Sequence, residues 1–173
     1  MKKILLSLIL ACFALSMYGQ GHGMKYYFDD EYECWNLEDS TSFRTDMPVI
    51  QPDGTPGDPR TALAINETGN LDLILVKFIL GPILHRYEDQ GLERFGMTYI
   101  ILPNGRVDEV SFSFSRLGHK KLDITEEDML YWRQLSDALK EWLRYSIPNN
   151  VQRLQFYRMC RFVNLAKLEN VTM

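Results

Sequence analysis

The chain is predicted to be an α+β protein: two main helices packed on a small antiparallel β-sheet, preceded by an N-terminal extension. Three observations predict it. Over residues 107–115 apolar and hydroxyl side chains alternate, with Val110, Phe112 and Phe114 on one parity and Ser111, Ser113 and Ser115 on the other. This is the period of a strand with one dry face and one wet face. Just before it, Pro103-Asn104-Gly105 suits a tight reversal, because proline presets one φ while Asn and Gly tolerate positive φ. Residues 97–102 and 107–115 therefore form a hairpin. Finally, Thr125 with Asp128 makes a capping box ahead of Trp132, Leu135, Leu139 and Trp142, which share one face of a helix.

At 173 residues, 46% hydrophobic and 24% charged, the chain has the composition of one globular domain with appendages. Its first residues, MKKILLSLILACFALSMYGQ, put two lysines before an apolar run and follow the run with small and polar residues. The run falls short of the roughly 20 residues that cross a bilayer, so 1–19 reads as a secretory signal peptide. Ile9-Leu10-Ala11-Cys12 also resembles a lipoprotein box, which ranks second, and an uncleaved anchor ranks third. Removing Lys2 and Lys3 changes the net charge from −4 to −6. No basic footprint for nucleic acid is present. Cys34 and Cys160 remain after cleavage, and in an exporting compartment they could bridge or stay as separate thiols.

Residues 20–69 form the extension. Its first half interleaves Tyr26, Tyr27, Phe28, Tyr32 and Trp35 with acids, and Tyr26, Phe28, Tyr32 and Cys34 share one parity of a short strand. Its second half holds MPVIQPDGTPGDP, whose prolines and glycines make a surface loop. The α+β domain then spans 70–173. A run of apolar residues from Leu71 predicts a helix with Asn70 as N-cap, kinked or stopped at Gly81-Pro82 and ended by Gly91. After the hairpin and the capped helix, Pro148 marks a stop and residues 153–165 supply a last strand.

Little in the sequence gathers reactive groups. His22, His85 and His119 lie far apart, in no ligand spacing. The acids from Asp29 to Glu33 lack the spacing and glycine turn of a calcium loop. The serines of 111–115 have no nucleophile elbow. Asp39-Ser40-Thr41 resembles a short bacterial O-glycosylation signal, and Asn66 and Asn170 head sequons that matter only in a eukaryotic pathway.

Read in order, Gln90-Gly91-Leu92, Met97-Thr98-Tyr99-Ile100, the stretch from Asn104 to Val110, Leu122-Asp123, Trp142, Pro148 and the strand through Phe162 resemble the C-terminal domain of TonB-type energy transducers. The resemblance covers residues 71–168. The family's Tyr-Pro pair stands here as Tyr87-Glu88, and a long Pro/Lys-rich spacer is absent. What the resemblance implies is an antiparallel sheet with a free edge, able to accept an extended peptide. Energy transduction does not carry over, since a cleaved chain cannot transmit force from the inner membrane.

The expected function is thus an exported, non-enzymatic module that binds a protein or peptide of the periplasm or outer envelope through the last strand, with Phe156 and Phe162 in contact. A bystander reading covers that edge with the extension around Tyr26 and Phe28, stapled by Cys34 and Cys160. One alternative is a carbohydrate-binding or adhesive module using Tyr26, Tyr27, Tyr32 and Trp35, whose rings stack on sugars. An envelope hydrolase with an acidic site ranks below it. No cofactor or metal is expected, and membrane contact is expected only through a lipidated Cys12 or an uncleaved signal.

Overall fold

The structure, a computed structural model, describes residues 24–30, 33–39, 64–65, 70–115, 121–147 and 154–172. The signal segment with Cys12, the Pro/Gly-rich loop, Tyr32, Ser40, Thr41, Asn66, His22, His119 and Pro148 lie outside them. In chain order the elements are β1 (Lys25–Asp29), β2 (Cys34–Glu38), β3 (Ala64–Ile65), α1 (Leu71–Asp89), β4 (Arg94–Ile101), β5 (Val107–Ser115), α2 (Glu126–Trp142), β6 (Tyr145–Ser146), β7 (Tyr157–Asn164) and α3 (Leu165–Leu168). The fold is α+β, as the sequence predicts. Among the described residues no helix is long and apolar enough to cross a membrane.

Five antiparallel strands form the main sheet in the order β1-β2-β5-β4-β7, and β3 pairs with β6 apart from it. The predicted hairpin lies at its centre. At the hairpin tip Gly105 has φ +80°, and a Cβ there would lie 2.0 Å from the Tyr145 carbonyl oxygen, so only glycine fits. The first half of the extension is part of this sheet: β2 lies beside β5, pairing Trp35 with Phe114 and Leu37 with Phe112. Cys34 therefore faces away from Phe28, not with it, because the chain reverses between β1 and β2.

Both long helices cover one face of the sheet. Trp132 of α2 is the hub of the core: its ring packs on Phe95, Phe112 and Phe114 at centroid distances of 5.4, 4.7 and 5.5 Å. Its indole N–H donates to the Tyr87 hydroxyl of α1 at 3.0 Å. The regular Phe row of β5 is thus the floor on which α2 sits. The capping box holds, with the Thr125 side chain accepting from the Asp128 N–H at 3.2 Å and the Asp128 carboxylate accepting from the Thr125 N–H at 3.1 Å. Asp128 is fully buried and also pairs with Arg86, joining the start of α2 to the end of α1. Trp142 departs from the predicted apolar face: it falls in the last turn and is exposed.

α1 runs through Pro82 without stopping. Proline forfeits one backbone hydrogen bond there, but Ile79, Leu80, Ile83 and Tyr87 are all buried on the same side, so packing holds the two halves in line. The helix ends at Gly91, φ +89°, where the Leu92 N–H donates back to the Tyr87 carbonyl at 2.9 Å. Asn70 occupies the N-cap position without capping, and its side-chain oxygen instead accepts from Arg161 of β7 at 3.3 Å.

Candidate functional site

The two ends of the sheet are finished differently. At one end, among the described residues, β1 pairs only with β2, and its aromatic side chains tie it down. Tyr26 lies against Trp35 at 5.4 Å and donates to the Leu122 carbonyl at 3.1 Å, while Phe28 packs at a tilt against Trp35 at 4.9 Å. Burial pushes the Tyr26 hydroxyl up to about 12, with Tyr87 and Asp123 adding to the effect. Just past β2, the Asp39 carboxylate accepts from the Val110 N–H at 3.1 Å and from the Ser136 hydroxyl, and pairs with Lys140 at 2.6 Å. One side chain thereby fastens the N-terminal hairpin to β5 and to α2.

At the other end β7 pairs with β4 over eight residues in unbroken register, from Arg94 opposite Asn164 to Ile101 opposite Tyr157. Among the described residues nothing pairs with its outer side. It is anchored from beneath, where Arg161 meets Asp72 at the start of α1 at 2.9 Å. Burial pushes the Asp72 carboxyl above the usual carboxylate range, and Arg161 opposes that push. The neighbouring Tyr99 hydroxyl is raised well above its ordinary value, first by burial and then by Asp72.

The sheet face turned away from α1 and α2 carries the hydroxyl row of β5. Register places Lys25, Glu38, Ser111, Thr98 and Cys160 in one line across the strands, and Tyr27, Asn36, Ser113, Gly96 and Phe162 in the next. Gly96 leaves room in its line: a Cβ there would lie 2.4 Å from the Ser113 hydroxyl oxygen, which would have to turn away, and 3.6 Å from the Phe162 ring, an ordinary contact. Phe162 lies over that glycine and is 75% exposed, the most exposed of the large hydrophobic side chains among the described residues. The serine row is drier than its parity predicts, since Ser111 is buried. Tyr27 donates to Glu38, and burial raises both the Tyr27 hydroxyl and the Glu38 carboxyl from their ordinary values.

Several expectations need correction. Cys34 and Cys160 are both free thiols: β5 and β4 lie between their strands, a separation of about 14 Å, twice what a disulfide tolerates. Burial raises the Cys34 thiol, whereas Cys160 is exposed and 3.5 Å from the Thr98 hydroxyl. The stretch around Tyr26 and Phe28 does not pair with β7, since β1 and β2 pair at the opposite end of the sheet. Phe156 is only 3% exposed and belongs to the core, whereas Phe162 is exposed. The aromatic platform is split. Tyr26 and Trp35 face the helices, Tyr27 faces the other way, and Trp35 carries Lys121 over its ring at 4.8 Å. Among the described residues no three His, Cys, Asp or Glu side chains gather to hold a metal ion, and His85 faces only Glu88.

What the described residues define is an α+β protein with one sheet edge tied by its side chains, one edge strand with nothing described beside it, and a polar face away from the helices. No family model matches the sequence, and no curated protein does. The structure is similar to the crystal structure of a DUF5043 family protein from Bacteroides uniformis, with a TM-score of 0.55 and 16% identity over 82% of this chain and 84% of that one. At that identity the likeness concerns the fold.

Proposed function

We propose that the protein is an exported, non-enzymatic module of the cell envelope that takes an extended segment of a partner protein as an additional strand beside β7. The observation that carries this reading is the edge itself: eight residues in regular register, without proline or bulge, carrying the exposed Phe162. An antiparallel edge strand turns alternate N–H and C=O groups outward, and an incoming backbone satisfies them. The order of α1, glycine, hairpin, α2 and outermost strand supports the reading through the resemblance to TonB-type C-terminal domains. The signal-like first nineteen residues support the envelope location.

Photo-crosslinking in intact cells tests it. A benzophenone side chain at position 162 should trap a partner, and the same probe at position 27 should not. Of the two variants Met159→Pro and Cys160→Pro, one replaces an outward N–H and leaves the β4 pairing intact. That variant should fold and lose the crosslink. Equal trapping at 27 and 162, or trapping that survives in the folded proline variant, defeats the edge-binding reading.

A further inference from the structure

We propose that the strand taken up beside β7 is β7 of a second copy of this chain, so that two sheets join edge to edge about a two-fold axis at Cys160. This rests on the strand-capture reading and names its partner.

Symmetry restricts the ways in which one strand can pair with its own copy. An antiparallel pair of identical strands has its two-fold axis perpendicular to the sheet, and side chains directly opposite each other point to the same face. The register therefore centres on a residue. Tyr157, Met159, Arg161 and Val163 meet only one another, as do Arg158, Cys160, Phe162 and Asn164. Centring on Met159 or any residue before it leaves at least 162–164 facing no strand, and centring on Phe162 or beyond does the same to 157–159. Centring on Arg161 sets that guanidinium against its copy, and like charges directly opposite are unfavourable. Arg161 is not free to turn away, since Asp72 holds it at 2.9 Å and Asn70 at 3.3 Å. Cys160 is left as the centre.

That register pairs 157–163 of one copy with 163–157 of the other. On the face away from the helices it places Phe162, 75% exposed, opposite Arg158 of the second copy, and by symmetry does so twice. A guanidinium over an aromatic ring is attractive, so each copy covers the other's exposed ring with a cation. On the helix side Met159 lies opposite the apolar stem of Arg161, and Tyr157 opposite Val163, both of which are buried. No arginine of one copy faces an arginine of the other. The axis carries a small side chain, and Cys160 is exposed and free. β7 has neither the proline nor the bulge that keeps edge strands from pairing.

Two measurements on the full chain test the pairing. Sedimentation should show a dimer. Diamide, which takes two electrons and two protons from a pair of thiols and is itself reduced to a hydrazine, should link Cys160 to Cys160, because directly opposed residues lie about 4.5 or 5.5 Å apart at Cα. Mass spectrometry of the linked peptides separates that bridge from one through Cys34. Phe162→Lys, which puts a cation opposite Arg158, should weaken the dimer about tenfold, whereas Phe162→Glu should keep it within about twofold. The ring is exposed, so both variants should fold. A monomer at about 0.5 mM, diamide treatment that leaves no Cys160–Cys160 bridge, or equal effects of lysine and glutamate overturns the proposal. If the chain is monomeric and the benzophenone at position 162 traps a different protein, strand capture stands and self-pairing falls; if it traps nothing, both fall.

Discussion

The two edges of the sheet solve the same physical problem in opposite ways. β1 is short, bracketed by Lys25 and Asp29, and spends its aromatic rings on Trp35, so its edge is blunted in the manner that keeps sheets from pairing with neighbours. β7 is longer and regular and leaves Phe162 in solvent. Each end is nevertheless anchored to a helix by a carboxylate: Asp39 holds the β2 end to α2, and Asp72 of α1 holds β7 from beneath. The difference teaches that attachment and availability are separate properties. An edge can be firmly held on its inner side and still be open on its outer one.

The strongest way to break this comparison is to release the tied end. Asp39→Ala removes an acceptor shared by Val110, Ser136 and Lys140 and should cost about 3 kcal/mol in chemical denaturation. Amide exchange should accelerate in β1 and β2 before β7. Simultaneous loosening of both ends would show that the clamp is not local. Next comes Arg161→Ala at the open end, which strands the buried Asp72 and should cost about 2 kcal/mol, less than Asp39→Ala because Asp72 can take up a proton.

Glu38→Gln sharpens the comparison through pH. Burial raises the folded Glu38 above its ordinary 4.5, so the folded state holds the proton more tightly than the unfolded chain. Its contribution to stability is therefore full below about 4.5 and is lost as pH rises through the folded value. The glutamine keeps an acceptor for Tyr27, so the variant's stability should decline less across that window, by under about 1 kcal/mol. A pH dependence identical to wild type would remove Glu38 from the account. The smallest effect belongs to Phe162→Ala. A side chain this exposed should change stability by less than about 0.5 kcal/mol, read by thermal melting. A larger loss would mean that Phe162 serves the fold and not a partner.

Features written over a few residues were legible in the sequence: the Asn104-Gly105 reversal, the Thr125 capping box, the Gly91 terminus and the Phe row of β5. Each depends on φ preference or on the period of one element, which neighbouring residues determine. The outermost place of the last strand was anticipated, but the exposure of its two phenylalanines was not. Phe156 and Phe162 have the same apolar character, and only the end of β7 decides that one enters the core and the other faces water. The polar face away from the helices had a visible trace in the Ser-Phe-Ser-Phe-Ser alternation. Its other members come from four further strands, and no local signal links Asn36 to Ser113 or Gly96 to Phe162.

By itself the sequence determined the element types, the hairpin, the helix caps and an export-like start, because these rest on short-range sterics and hydrogen bonding. Only the tertiary structure decided that the extension joins the sheet at β5, that Cys34 and Cys160 stand apart, that Pro82 is carried inside a helix, and that Asp39 acts as a clamp. Those outcomes depend on which distant strands and helices pack together, and burial of the shared core around Trp132 selects among pairings that the local pattern leaves equivalent.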